Sequence, residues 1–182
     1  TAVTFTNQAA GELKERLRRE MPNRSAAGRI QTGTFHSICL ALLKAAGKAV
    51  TLADGLECQK LAEAVIEDMG LKLRSSELLR AVSEEKAEKI LGAGEAKHMS
   101  GDLGKAVRAY EERMREQGLM DFDDLLAEAL GLLYLASEPV RKFCRRFRYL
   151  LVDEFQDISP LQYRLILAWN REGDELFVIG DP

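Results

Sequence analysis

The stretch Tyr149-Leu150-Leu151-Val152-Asp153-Glu154-Phe155-Gln156-Asp157 limits the folds open to this chain more than any other segment. A short unbroken apolar run that stops abruptly at carboxylates has the pattern of a central strand in a parallel sheet, buried on both faces. Residues just past such a strand lie at the carboxyl edge of the sheet, where open α/β folds bind ligands.

The rest of the chain supplies the strands and crossovers that such a sheet needs. Residues 2–6 (AVTFT) alternate and are β-rich, and 7–20 follow with Ala10, Leu13 and Leu17 at helical spacing. MPNRSAAGR (21–29) reads as loop from its Pro, Asn, Ser and Gly. IQTGTF (30–35) reads as a second strand, and HSICLALLKAAG (36–47) as a helix closed by Gly47. Between Asp54 and Gly118 the period is helical throughout, with no β-rich run. DFDDLLAEALGLLYLA (121–136) is a further helix with Asp121 placed to cap it. Residues 148–153, 159–170 and 175–181 return to strand, helix and strand. The expected fold is α/β, a parallel sheet built from residues 1–53 and 118–182 around an all-helical insertion at 54–117.

Composition excludes several classes. Hydrophobic residues make up 46% of the chain, enough for a core, but no apolar run reaches the roughly 18 residues of a membrane span. Cys39, Cys58 and Cys144 form no C-x-x-C pair, so neither a disulfide framework nor a zinc site is suggested, and reduced cytoplasmic thiols are expected. His98 reads as a solvated loop residue. The net charge is −3, yet residues 1–53 carry 8 Lys/Arg against 3 Asp/Glu, so basic charge gathers at the start.

An Asp at the end of a buried strand followed by Glu is the arrangement in which the Asp serves Mg²⁺ and the Glu activates the water that attacks a γ-phosphate. Phe5 and Phe35 are flat faces on which bases can stack. Thr6, Asn7 and Thr34 can donate to phosphates beside two helix N-termini. His36 follows the second of these aromatics as a cap, core or DNA-facing residue.

In this order, TFTNQAAGELKERL, GTFHSICLALL, MDFDDLL, YLLVDEFQDISPLQ and FVIGDP resemble the UvrD/Rep/PcrA family of superfamily 1 DNA helicases. The resemblance implies a RecA-like (P-loop NTPase) domain 1A with a 1B-like insertion, ATP and Mg²⁺ as ligands, and single-stranded DNA and duplex junctions as partners. It implies Mg²⁺ at Asp153, water activation at Glu154, and coupling of the nucleotide site to the DNA motor by Gln156 and Asp157, with Gly180 and Asp181 in a third motif. It also implies DNA contacts at Phe5, Thr6, Asn7, Thr34, Phe35 and His36, and near Asp121 and Phe122. The motor implied is an ATP-dependent 3′-to-5′ translocase. Two alternatives stay open: a non-catalytic DNA-binding or scaffold subunit of the same fold, and the motor part of an AddA-like helicase–nuclease.

The sequence departs from the family pattern in places. Gln8 stands where the family usually has Lys, and 54–117 is short for a 1B subdomain. No G-x-x-x-x-G-K-[ST] occurs; GAGEAK (92–97) and GDLGKA (101–106) have the wrong spacing. The chain therefore reads as a piece of a longer helicase that starts after the Walker A loop, lacks domains 2A and 2B, and stops within the third motif. With carboxylates but no phosphate cradle, the 182 residues are expected neither to hydrolyse ATP nor to bind it tightly. Isothermal titration with Mg-ATP checks this, and micromolar binding would overturn it.

Overall fold

The computed structural model describes residues 1–92 and 101–181. It divides into two compact units, Thr1–Lys48 with Glu128–Pro182, and Ala49–Ala127. His98 and most of the GAGEAK string lie outside the described residues.

The discontinuous unit is built on a four-stranded parallel sheet. Its strands are β1 (Ala2–Thr4), β2 (Thr32–Thr34), β5 (Tyr149–Val152) and β6 (Glu175–Val178), in the order β2-β1-β5-β6. The registers Thr4↔Thr34, Val3↔Val152 and Val152↔Val178 bring all four carboxyl ends to one edge. Crossovers are helical, as parallel pairing demands: α1 (Asn7–Glu20) and α2 (Arg24–Arg29) join β1 to β2, and α9 (Pro160–Trp169) joins β5 to β6. α3 (Phe35–Ala45) follows β2, and α8 (Glu138–Cys144) with the 3₁₀ turn Arg145–Phe147 precedes β5.

Aromatic rings tie these elements together. Trp169 lies between Phe35 (5.7 Å between centroids, 21°) and Phe147 (5.0 Å, 7°), and Phe143 leans on Phe147 at 5.9 Å. Ile38, Leu42, Leu150, Leu165 and Ile166 fill the surrounding core.

Two helices were not legible. Residues 21–29, read as loop, contain α2, because the Asn23 carboxamide accepts from the Ala26 N–H at 3.0 Å and caps it. The helix α8 starts at Ser137-Glu138-Pro139, where Pro occupies a first-turn position that needs no N–H donor.

The second unit contains β3 (Thr51–Leu52), α4 (Gly55–Asp68), α5 (Ser75–Leu91), α6 (Gly101–Glu116), β4 (Leu119–Met120) and the first part of α7 (Phe122–Leu135). Ala62, Val65, Leu78, Val82, Val107 and Tyr110 form its core. It is wider than the 54–117 suggested by helical period, because β3 and β4 pair in parallel, Thr51 opposite Leu119. Two-residue strands carry no periodic signal; only the long-range pairing creates them.

Within this unit Lys86 on α5 reaches Asp121 Oδ2 at 2.6 Å and Asp124 Oδ1 at 2.8 Å. Asp121 and Asp124 also cap α7 reciprocally, Asp124 N–H to Asp121 Oδ1 at 2.9 Å and Asp121 N–H to Asp124 Oδ2 at 3.2 Å. The Lys86 side chain is only 10% exposed. Burial works to lower its pKa, but the hydrogen bonds and charges of Asp121 and Asp124 outweigh it and leave Lys86 above the ordinary lysine value. Asp124 is raised, by burial first and the neighbouring Asp121 charge, against the pull of Lys86.

Lys86→Ala strands two partly buried carboxylates and is expected to cost on the order of 3 kcal/mol in denaturant unfolding. Because the folded-state pKa of Lys86 is raised, its stabilisation is fully present below the ordinary value of 10.5 and is lost as pH climbs through the raised one. Alkaline melts of wild type and Lys86→Met check this: the variant should lack that part of the alkaline loss.

Candidate functional site

Four sequence segments meet at the carboxyl edge of the large sheet. Phe5-Thr6-Asn7 follow β1, Phe35-His36 follow β2, Asp153 to Asp157 follow β5, and Ile179-Gly180-Asp181 follow β6. Main-chain bonds fix the central pair of segments. The Asp153 N–H donates to the Val3 carbonyl at 3.0 Å, the Ile179 N–H to Val152 at 2.9 Å, and the Phe155 N–H to Ile179 at 2.8 Å.

Glu154 sits where the strand turns into the 3₁₀ turn Phe155–Asp157, with φ 51° and ψ 46°. A left-handed conformation costs a non-glycine residue about 1–2 kcal/mol, so the surrounding bonds hold it there. The Glu154 N–H donates to Asp153 Oδ1 at 3.1 Å. Gln156 then clasps the turn: its Nε2 donates to Glu154 Oε2 at 2.7 Å, and its Oε1 accepts from the Asp181 N–H at 3.2 Å. Gly180 permits this approach. A Cβ there would run into Gln156 Oε1 and come within 3.2 Å of the Phe155 nitrogen. One amide thus links the Glu154 carboxylate to the end of β6.

Asp153, Glu154 and Asp157 form no ion pair among the described residues, and no three His, Cys, Asp or Glu side chains there gather as a self-sufficient metal site. Glu154 and Asp157 are exposed and Asp153 is half-buried.

The neighbouring segments are helix starts. Thr6 caps α1 by accepting from the Ala9 N–H at 3.0 Å, and buried Thr4 donates to the Thr6 carbonyl at 3.1 Å. Thr34 and Ser37 form a reciprocal cap on α3. Neither first turn carries an acid, so both positive helix ends suit an anion. Thr6 and Asn7 are exposed, whereas Phe5 and His36 are half-buried.

Three expected DNA contacts need revision. Phe35 is 1% exposed, with Trp169 stacked on it and Phe5 against it at 5.8 Å and 61°, so it offers no face to a base. Thr34 is 6% exposed and its hydroxyl oxygen accepts from the Ser37 N–H in the α3 cap, so burial leaves little of it open to a phosphate. Asp121 is committed to Lys86 and to the α7 cap. The motif pattern could not separate Phe5 from Phe35, because both follow a strand. Sequence reasoning also missed Thr4, Ser37 and the close-approach need at Gly180; the strand-end Thr and the Thr-x-x-Ser spacing were the signals available.

The sequence profile of the UvrD/REP helicase N-terminal domain family matches residues 1–182. The chain is 31% identical over 207 residues to ATP-dependent DNA helicase UvrD1 of Mycobacterium leprae, an alignment covering 99% of the chain and 26% of that protein. It is 28% identical over 193 residues to ATP-dependent DNA helicase PcrA of Leuconostoc citreum, covering 99% and 26%. With ATP-dependent DNA helicase Rep of Salmonella typhimurium the identity is 29% over 194 residues, covering 99% and 28%. The chain spans about a quarter of the length of these relatives.

Removing the buried ring with Phe35→Ala is expected to destabilise the first unit by about 3–5 kcal/mol. Urea unfolding followed by circular dichroism measures it; a loss below about 1 kcal/mol would return Phe35 to the surface.

Proposed function

Since the chain belongs to the UvrD/REP helicase N-terminal domain family, we propose that it is the part of an ATP-driven DNA motor that carries the water-activating carboxylate and one side of the single-strand path. The observation that carries this reading is the meeting of four motif segments at one sheet edge, with Gln156 bridging Glu154 and Asp181.

Glu154 is the general base. Its carboxylate takes a proton from water as that water attacks the γ-phosphate, and the Gln156 amide holds it in one orientation. Asp153 would hold Mg²⁺. That ion is bound by one or two carboxylates together with phosphates and water, so a half-exposed carboxylate without a cation partner fits it. Bound there, Mg²⁺ would neutralise charge on the transferring phosphoryl group. The phosphate cradle is assigned to the remainder of the protein. β6 lies at the open end of the sheet with Phe177 52% and Val178 49% exposed, an edge suited to pairing with a strand from that remainder.

Asp181 is bonded through Gln156 to the base, so movement at the end of β6 reaches Glu154 directly. Gln156, Asp157, Gly180 and Asp181 are accordingly the coupling elements between nucleotide and DNA. Thr6, Asn7, His36 and the half-buried ring of Phe5 face the strand. Translocation runs 3′ to 5′ and opens duplex junctions in the cytoplasm, and Ala49–Ala127 serves as the 1B-like insertion.

In the intact protein, Glu154→Gln is expected to keep nucleotide binding and to lower DNA-stimulated hydrolysis by about 10²–10⁴-fold. Steady-state ATPase assays decide it, and a rate within a few fold of wild type would sink the assignment. Phe5→Ala should weaken single-strand binding by about 1–3 kcal/mol with the salt slope unchanged, because stacking releases no counterions. Fluorescence anisotropy at several salt concentrations checks both halves of that expectation.

A further inference from the structure

At the opposite, amino edge of β5 and β6 the first unit has a half-open cavity of about 510 Å³, within the roughly 300–1,000 Å³ of small-ligand sites. Its basic wall comes from RKFCRRFR (141–148), a run with five cations and no acid that the catalytic reading leaves unused. Arg141, Arg145 and Arg171 line the cavity, and none has a side-chain partner among the described residues. Arg148, also in the lining, is already paired with Asp174. Glu138 and Glu172 share the cavity yet form no ion pair with these arginines. Cations and carboxylates are thus held apart around one space instead of cancelling each other.

Two further lining groups leave the charge balance of the cavity to the arginines and glutamates. Trp169 is 2% exposed, and no atom among the described residues accepts its indole N–H. Cys144 is pushed up to about 11, by burial first and then by the Glu172 charge, so at neutral pH it stays a thiol and adds no negative charge.

From this arrangement we infer that the cavity is a second binding site, for a phosphate-bearing ligand that also carries hydroxyl groups, in the class of sugar phosphates. The guanidinium forks of Arg141, Arg145 and Arg171 take the phosphate oxygens, the geometry in which arginine excels. Glu138 and Glu172 accept from the hydroxyls. The same phosphate can be presented by a free metabolite or by a phosphorylated nucleic-acid end, and the site does not involve Glu154.

Trp169 is the only tryptophan of the chain, which makes its emission a reporter of the cavity. The 182-residue chain is titrated with ribose 5-phosphate, ribose, and 5′-phosphorylated or unphosphorylated oligothymidylate, with heats recorded in parallel. Ribose 5-phosphate is expected to saturate while ribose does not, and Arg145→Glu and Arg171→Glu should each weaken it at least about tenfold, with Arg145→Lys in between. Saturation by the phosphorylated oligomer at a lower concentration than the sugar phosphate identifies a nucleic-acid end as the source. The inference is overturned by absence of both heat and emission change up to roughly 10 mM, by unchanged binding in the arginine variants, by equal binding of the two oligomers, or by loss of binding in Glu154→Gln.

Discussion

The pairing of β1 with β5 is the constraint on which the first unit depends. Residues near the start of the chain bond to residues about 150 positions later, Ala2 opposite Leu151 and Val3 opposite Val152. Because the pairing is parallel, the carboxyl ends coincide, and the Asp153 N–H closes onto the Val3 carbonyl. A slip of one residue would turn every side chain of β5 to the other face. Leu150 and Val152, both fully buried, fix the register against that slip.

What the strands bring together, short polar bonds then hold. Glu154 occupies a left-handed backbone position that its side chain disfavours, and it is kept there by the Phe155–Ile179 bond on the backbone and the Gln156 clasp on the side chain. Gly180 belongs to the same device from the other side, since it leaves room for Gln156. Among the described residues the carboxylates have no cation partner, a costly state in a closed interior and an acceptable one at an exposed edge.

Much of this was legible beforehand. The apolar run before Asp153 placed β5, the alternating pattern placed β1, and helical period placed α1, α3, α7 and α9 close to their observed bounds and marked the stretch that holds α4, α5 and α6 as helical. Motif order placed the strand-end segments, though it gave the same reading to Phe5 and Phe35. Only packing parted them: Trp169 arrives from α9 and covers Phe35, and Phe5 remains at the rim. Asp121 was likewise read correctly as a cap, but its partner Lys86 lies 35 residues away and no local pattern announces it.

The sequence by itself determined what depends on neighbours along the chain: the periods of strands and helices, the helix caps, and the order of the acidic and aromatic motifs. Tertiary structure alone decided which groups face each other across the fold. It made two-residue strands of Thr51–Leu52 and Leu119–Met120, buried one aromatic of a matched pair, and gathered Arg141, Arg145 and Arg148 with Arg171 around a cavity. The physical reason is that burial and charge pairing are set by distance in space, and hydrophobic pattern carries that distance only where it repeats.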